Sequence, residues 1–293
     1  MQRGFLALFV SFLVILPVSV GALHATVIPP PATFPISTPP TSSRQTVNPT
    51  SAQLQPAALL IQSNAALASS VTVSDITLAG TAESIAGSDD ETGSVLLKAT
   101  AGGQSRIDLS LSAGVRSEVR SVDGGGSPIG VWSGPDGVQH AISYHNLFTD
   151  PSWFFPALTV RRLVNITGLL GSYVGLETLN GQSVHHISFA QPPDAAAGAN
   201  ASIIQHLTQI DLYLDPMTLL PVALSFATHP DNNELLDIPV QIQFSGYQNI
   251  SGVQTPFHIQ KFLNGSLSLD LQVQSATLNT GIPASAFGAE ITQ

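Results

Sequence analysis

A two-residue hydrophobic period that returns along most of the chain limits its fold more than any other feature. "RIDLSLS" at 106–112 sets Ile107, Leu109 and Leu111 on one face and Asp108, Ser110 and Ser112 on the other. "VQIQFS" at 240–245 repeats the pattern with Val240, Ile242 and Phe244, and "LSLDLQV" at 267–273 does so again. Successive side chains of a strand point to opposite faces, so these segments read as half-buried antiparallel strands with one wet face. Asn180-Gly181 and Asn264-Gly265 each lie between alternating runs, the strongest short hairpin signal. "LYLDPMTLLPVAL" at 212–224 puts Asp215-Pro216 between two further strands, and "DGGGS" at 123–127 and "SGPDG" at 133–137 mark two more turns. The pattern predicts roughly ten or eleven strands.

Three segments break the period. "QPAALLIQSNAALAS", from Gln55, has proline at a first helical position and Leu59, Leu60, Ala66 and Leu67 at helical spacing, which predicts an amphipathic helix. Residues 144–170 form an excursion between strands, with a short helix after Pro156 ending near Gly168. "QPPDAAAGANASIIQHL" at 191–207 reads as a loop followed by a helical turn. Before the folded part, residues 1–25 read as a secretory signal: Arg3, the apolar run "FLALFVSFLVILPVSV", then small residues. That run is shorter than the roughly 20 residues that span a bilayer, and no later segment is long and apolar enough, so no transmembrane span is expected once the signal is removed. Residues 26–54, rich in Pro, Ser and Thr with a single charge, read as a linker, which leaves 55–293 as one folded domain.

Composition narrows the function. Charged residues are only 10% of the chain, the net charge is −10, and nine basic residues are scattered along it. Nucleic acid is therefore excluded as a partner, because phosphate neutralisation needs clustered Lys and Arg. With no cysteine, disulfides, thiolate metal sites and cysteine nucleophiles are out. No nucleophile elbow, zinc-protease motif or phosphate-binding loop is present, and Asp89, Asp90 and Glu91 share one exposed turn rather than facing each other across a cleft. Adjacent His185 and His186 point to opposite faces of a strand, and His140 and His145 have only Asp150 nearby. Glu118 and Arg120, two apart, read as a surface pair. The chain is thus read as a non-enzymatic protein with no catalytic residues, metal site or cofactor.

One stretch stands apart. Aromatics are 6% of the sequence, yet "YHNLFTDPSWFFPA" at 144–157 holds Tyr144, Phe148, Trp153, Phe154 and Phe155. Clustered aromatics are either core or a surface that meets a ligand.

The C-terminal half resembles the periplasmic lipoprotein-localisation carriers (the LolA/LolB-like superfamily). Asp215, Pro216, Thr218, Leu220 and Pro221 fit the family's D-P-x-T-x-L-P, Gly252, Val253, Pro256 and Phe257 its G-V-x-x-P-F, and Asn279, Gly281, Ile282 and Phe287 its closing N-x-G-I-x-x-x-x-F. "GSVLLKATAGGQSRIDLS" is similar to the family hairpin in which a lysine-bearing strand leads to an arginine. The resemblance spans roughly residues 56–290. It implies a mainly β fold with a few helices: a strongly curved, incomplete antiparallel barrel whose apolar concave face is covered by helices. It also implies a monomer in the periplasm or cell envelope of a Gram-negative bacterium that binds an acyl chain, lipid or lipoprotein moiety. Arg106 falls near the family's lid-fastening arginine. The expected ligand-binding set is Trp132, Phe148, Trp153, Phe154 and Phe155, with Arg106. Trp153 and one of Phe154 or Phe155 are expected to plug the mouth of the concave face, with Asp150-Pro151 fixing the turn leading in. The alternative is an envelope interaction or sensor module that recognises a protein partner.

Overall fold

The computed structural model of the chain describes residues 55–288, apart from 88, 193–197 and 199. The signal and linker read at 1–25 and 26–54 lie outside the described residues. The first described element is α1 (Pro56–Ala68), opened by Pro56 and burying Leu59, Leu60, Ser63, Leu67 and Ala68.

A meander follows: β1 (Asp75–Ser84), β2 (Glu91–Thr100), β3 (Ser105–Leu111), β4 (Gly114–Val122), β5 (Pro128–Ser133) and β6 (Gln139–Ala141). A 3-10 turn (Tyr144–Phe148) and α2 (Pro156–Asn165) lead to a second meander, β7 (Leu170–Leu179), β8 (Gln182–Ala190), β9 (Ile210–Leu214), β10 (Pro221–Thr228) and β11 (Ile238–Ser245). The helical turn expected before β9 is α3 (Ala201–Leu207). The short hairpin β12 (Gln248–Ile250) and β13 (Val253–Thr255) stands apart from the main sheet, and β14 (His258–Leu263) and β15 (Ser266–Leu278) complete it.

Thirteen strands form one curved antiparallel sheet in the order β6-β5-β4-β3-β2-β1-β15-β14-β11-β10-β9-β8-β7, and it does not close into a barrel. The expected fold class holds, with more strands than the ten or eleven expected because β6, β12 and β13, of three residues each, are too short to show a period. Bulges between Ala79 and Gly80, Tyr173 and Gly175, Pro221 and Ala223, and Lys261 and Phe262 interrupt the register where the sheet bends.

This order has a topological consequence. The two meanders are joined at the seam β1–β15, so the free edges are β6 and β7, which follow each other in sequence. The chain between them, residues 142–169, must cross from one edge of the sheet to the other.

The family-like motifs are the physical fastenings of this frame. At the seam, Asp75 accepts bonds from Thr280 N–H (2.8 Å), Thr280 Oγ1 (3.0 Å), Gly281 N–H (3.0 Å) and Ser74 Oγ (2.9 Å). Asn279, held at φ +56°, accepts from Ser74 N–H and donates to the Thr72 carbonyl. In the D-P-x-T-x-L-P turn, Asp215 accepts from Met217 N–H, Thr218 N–H and Thr218 Oγ1. Both Asn-Gly pairs have positive φ at both residues, the geometry of a type I′ hairpin turn. In the G-V-x-x-P-F motif, Gly252 has φ +87°, and a Cβ there would lie 2.8 Å from Val71 Cγ2.

The core sits on one face of the sheet. Ile76, Leu78, Leu97, Ile107, Leu109, Ile187, Leu212, Leu224, Ile242, Ile259 and Leu271 from the strands pack with Leu59 and Leu67 of α1 and Val160 and Leu163 of α2. The two helices pack on one another and on β13, so the small hairpin helps to cover the same face. On the opposite face a smaller cluster joins Val119 and Val131 to Phe287 of the C-terminal 3-10 turn (Ala284–Phe287).

Candidate functional site

The edge-to-edge crossing carries the aromatic stretch. Residues 142–155 form a strap over the concave face, and residues 149–155 are all buried. Trp153 is 3% exposed, and Phe154 and Phe155 are fully enclosed in the apolar interior. Trp153 meets Phe154 edge to face at 5.6 Å between centroids, a favoured aromatic geometry. Lys261 Nζ of β14 lies 5.1 Å over the Trp153 ring, within cation–π range.

Polar bonds fasten the strap to both halves of the sheet. From β4, Arg120 Nη1 donates to Thr149 Oγ1 (2.7 Å) and to the Asn146 carbonyl (3.1 Å). From the end of β10, Asn146 Oδ1 accepts from His229 N–H (2.9 Å) and Thr228 Oγ1 (3.0 Å), while Asn146 Nδ2 donates to the His229 carbonyl (2.8 Å). Gly130 on β5 leaves room for the strap's root: a Cβ there would lie 2.8 Å from both Ile142 Cδ1 and Leu147 Cδ2.

The turn leading into Trp153, Phe154 and Phe155 is built on Asp150. Its Oδ1 accepts from Ser152 N–H (2.7 Å) and Ser152 Oγ (2.8 Å), and Arg162 of α2 pairs with Oδ2 at 2.7 Å. The carboxylate is 1% exposed, so it depends on these partners. Pro156 then opens α2 without leaving an unsatisfied N–H.

Beside Trp153, charge is placed on the inner face of the sheet. Register pairs Glu118 with Ile107 and Arg116 with Leu109, which puts both on the inner face of β4. Glu118 and Arg120 are therefore not a surface pair; they join at 2.8 Å with side chains 16% and 14% exposed. Burial works against the Glu118 charge, but Arg120 and Lys261 outweigh it and hold the carboxyl below its usual range. Burial likewise pushes the Lys261 ammonium down, partly offset by Glu118. Arg116 pairs with Glu91, which is thereby part of β2 and not of a free acidic turn.

The sequence-derived set is only partly assembled. Trp132 is on the inner face opposite Glu118 and stacks on His140 with centroids 4.4 Å apart. Phe148 is half-buried and meets Tyr144 edge to face at 5.3 Å. Arg106 is elsewhere. It pairs across the sheet with Val119, which faces Phe287 on the outer surface, and it bonds Asp108 at 2.7 Å. Arg120 is the arginine that holds the strap. His185 bonds Tyr173, whereas His186 faces Glu177 and Asp211, so the two rings do part to opposite faces.

A cavity of about 250 Å³ lies beside the strap, lined in part by Arg120, Val122, Ile129, Leu147, Pro151 and Arg162. Ligand pockets for small molecules are generally about 300–1,000 Å³. The space open beside the strap thus falls short of one, and the side chains of Trp153, Phe154 and Phe155 are packed in the apolar core.

No family model and no curated protein matches the chain. Solved structures do resemble it at low sequence identity. A DUF1329 family protein from Desulfovibrio piger is 11% identical over 80% of this chain and 95% of its own, with a TM-score of 0.49. A domain named as an outer membrane lipoprotein-sorting protein, from Vibrio parahaemolyticus, is 14% identical over 79% and 95%, with a TM-score of 0.47. A LolA superfamily protein from Nitrosomonas europaea is 10% identical over 80% and 98%, with a TM-score of 0.44.

Proposed function

We propose that this chain is a non-enzymatic, exported envelope protein that binds an acyl chain or similar lipid moiety in the concave face now filled by its own strap. The observation that supports this most is the plug itself. An unclosed sheet presents a continuous apolar face, and its middle is occupied by Trp153, Phe154 and Phe155 on a segment that runs from edge to edge. The strap is held by a few polar bonds from Arg120, Asn146 and Arg162, and such bonds can be exchanged for water when it lifts. Each CH₂ of an incoming chain contributes about 0.8 kcal/mol on burial, so a long acyl chain can replace the aromatic contacts it displaces.

The polar rim suits an acidic headgroup. Arg120 and Arg162 both line the open cavity, next to apolar Val122, Ile129 and Leu147. When the strap lifts, Arg120 gives up Thr149 and the Asn146 carbonyl and Arg162 gives up Asp150, and a fatty acid carboxylate would take the place so released while its tail entered the trough. Transfer of lipoproteins is one form that such binding would take.

One observation favours the alternative of a protein-recognising module: edge strand β7 exposes Val174 (51%) and Leu176 (61%). An open strand edge of this kind can accept a partner's strand. Titration of delipidated protein with a fluorescent fatty acid separates the readings. Saturable binding with one site supports the lipid reading. Absence of any saturable change, together with a stable protein partner recovered from envelope extracts, supports the alternative.

A further inference from the structure

Two imidazoles converge on one carboxylate oxygen on the far side of the strap's root. His206, in the last turn of α3, places Nε2 2.9 Å from Asp237 Oδ1, and His229, just after β10, places Nε2 3.0 Å from the same oxygen. One ligand atom from each of the three residues lies within 4.8 Å of the others. Among the described residues, no other three His or carboxylate side chains are gathered so closely. We propose that His206, His229 and Asp237 bind one divalent transition-metal ion of the zinc class.

The donors are those of a zinc-type site. Two neutral imidazoles and a carboxylate suit a borderline metal such as Zn²⁺ or Co²⁺, whereas Ca²⁺ and Mg²⁺ call for an all-oxygen shell. Bonds of about 2.0–2.1 Å at a tetrahedral centre set donors about 3.3 Å apart. The two nitrogen–oxygen separations of 2.9 and 3.0 Å lie within a few tenths of an ångström of that, and the two imidazole nitrogens lie within 4.8 Å of each other. Side-chain exposure is 37% at His206 and 48% at Asp237, so a fourth position opens to water.

The central ligand is fixed in advance. His229 is 1% exposed and lies between the rings of His145 and His206, with centroids at 5.9 and 5.6 Å. Its backbone is bonded on both sides by Asn146. Its Nδ1 has no hydrogen-bond partner among the described residues, so the ring's only polar tie is the Nε2 that faces the cluster. Metal at Nε2 would place the ring proton on Nδ1, so His229 is held as a ligand by its packing and its backbone bonds to Asn146 rather than by a bond at its second nitrogen. Such an ion would join α3, the β10–β11 loop and, through Asn146, the strap.

The test uses the untagged full chain stripped of metal, titrated with Zn²⁺ by calorimetry and with Co²⁺ by visible absorption. The expected result is one equivalent bound, with the strong d–d bands of a four- or five-coordinate site. His206→Gln and Asp237→Asn change side chains that are partly solvent-exposed and should keep the fold, checked by circular dichroism. Each is expected to weaken binding at least about tenfold, while His186→Gln leaves it unchanged. No saturable binding, or binding that survives both substitutions, overturns the assignment.

Discussion

Arg120 and Thr149 are 29 residues apart in sequence, and the guanidinium of the first donates to the hydroxyl of the second at 2.7 Å. That bond ties the strap to the first meander, as Asn146 ties it to the second. Replacing Arg120 by Met removes the bonds to Thr149 and the Asn146 carbonyl while keeping much of the apolar stem. Bonds from a charged donor contribute about 1.5–3 kcal/mol each when buried. Amide exchange over residues 144–155 should accelerate more than exchange in the β1–β15 seam, and uptake of an apolar dye should rise. Equal acceleration in both regions would mean that Arg120 supports the whole fold and not the strap in particular.

Trp153→Ala should remain folded and lose about 3–5 kcal/mol, the usual cost of removing a fully buried large aromatic. It also vacates space under Lys261, so the variant should bind apolar dyes with higher capacity than the parent. Thermal unfolding alongside dye titration checks both. Complete unfolding would make Trp153 ordinary core.

Acid should weaken the seam and the 215–218 turn. At Asp75, burial opposes the charge, but bonds from Thr280, Ser74 and Gly281 outweigh it and hold the carboxyl below its usual range. Asp215 is held down likewise, against burial, by Thr218, Met217 and Gln182. A carboxyl with a lowered folded pKa adds stability that is fully present above its unfolded value, about 3.9. That stability is lost as pH falls through the lower folded value. The melting temperature should therefore fall steeply below about pH 4, and Asp75→Asn should melt lower at neutral pH with a shallower acid slope. An unchanged slope in that variant would remove Asp75 from the account of acid sensitivity.

Gly80→Ala should be more disruptive than its size suggests. At the β1 bulge a Cβ would meet the Gln272 carbonyl oxygen at 2.0 Å, so backbone of β15 must move. Forcing one methyl into a packed site costs about 1–3 kcal/mol. Urea unfolding should show that loss or more, and a neutral result would mean that the seam is pliable.

The strands were legible because their inner faces alternate cleanly, and the Asn-Gly turns because both residues accept positive φ. The strap was legible as an aromatic-rich break in that period. The family resemblance puts Arg106 at the lid, although its own strand argues otherwise: with Ile107, Leu109 and Leu111 inward, position 106 points out. Strand β4 misleads in the opposite way. In "VRSEVRSV" Val115 and Val119 look like the inner set, yet Val119 packs outward against Phe287 and the charged residues turn in. Only the C-terminal turn, some 170 residues away, decides between the two faces. The His206–His229–Asp237 cluster was not legible either, because its members come from α3 and from both ends of the β10–β11 loop, with no fixed local spacing.

The chain has two tryptophans, so a Trp132→Phe variant reports on Trp153 alone. Titrating that variant, delipidated, with a spin-labelled fatty acid that quenches fluorescence on contact asks whether an acyl chain reaches the plug. Saturable, near-complete quenching at one equivalent, reversed by unlabelled fatty acid, is the expected result. Fluorescence that stays constant, or falls only linearly with added quencher, would contradict acyl binding in the concave face.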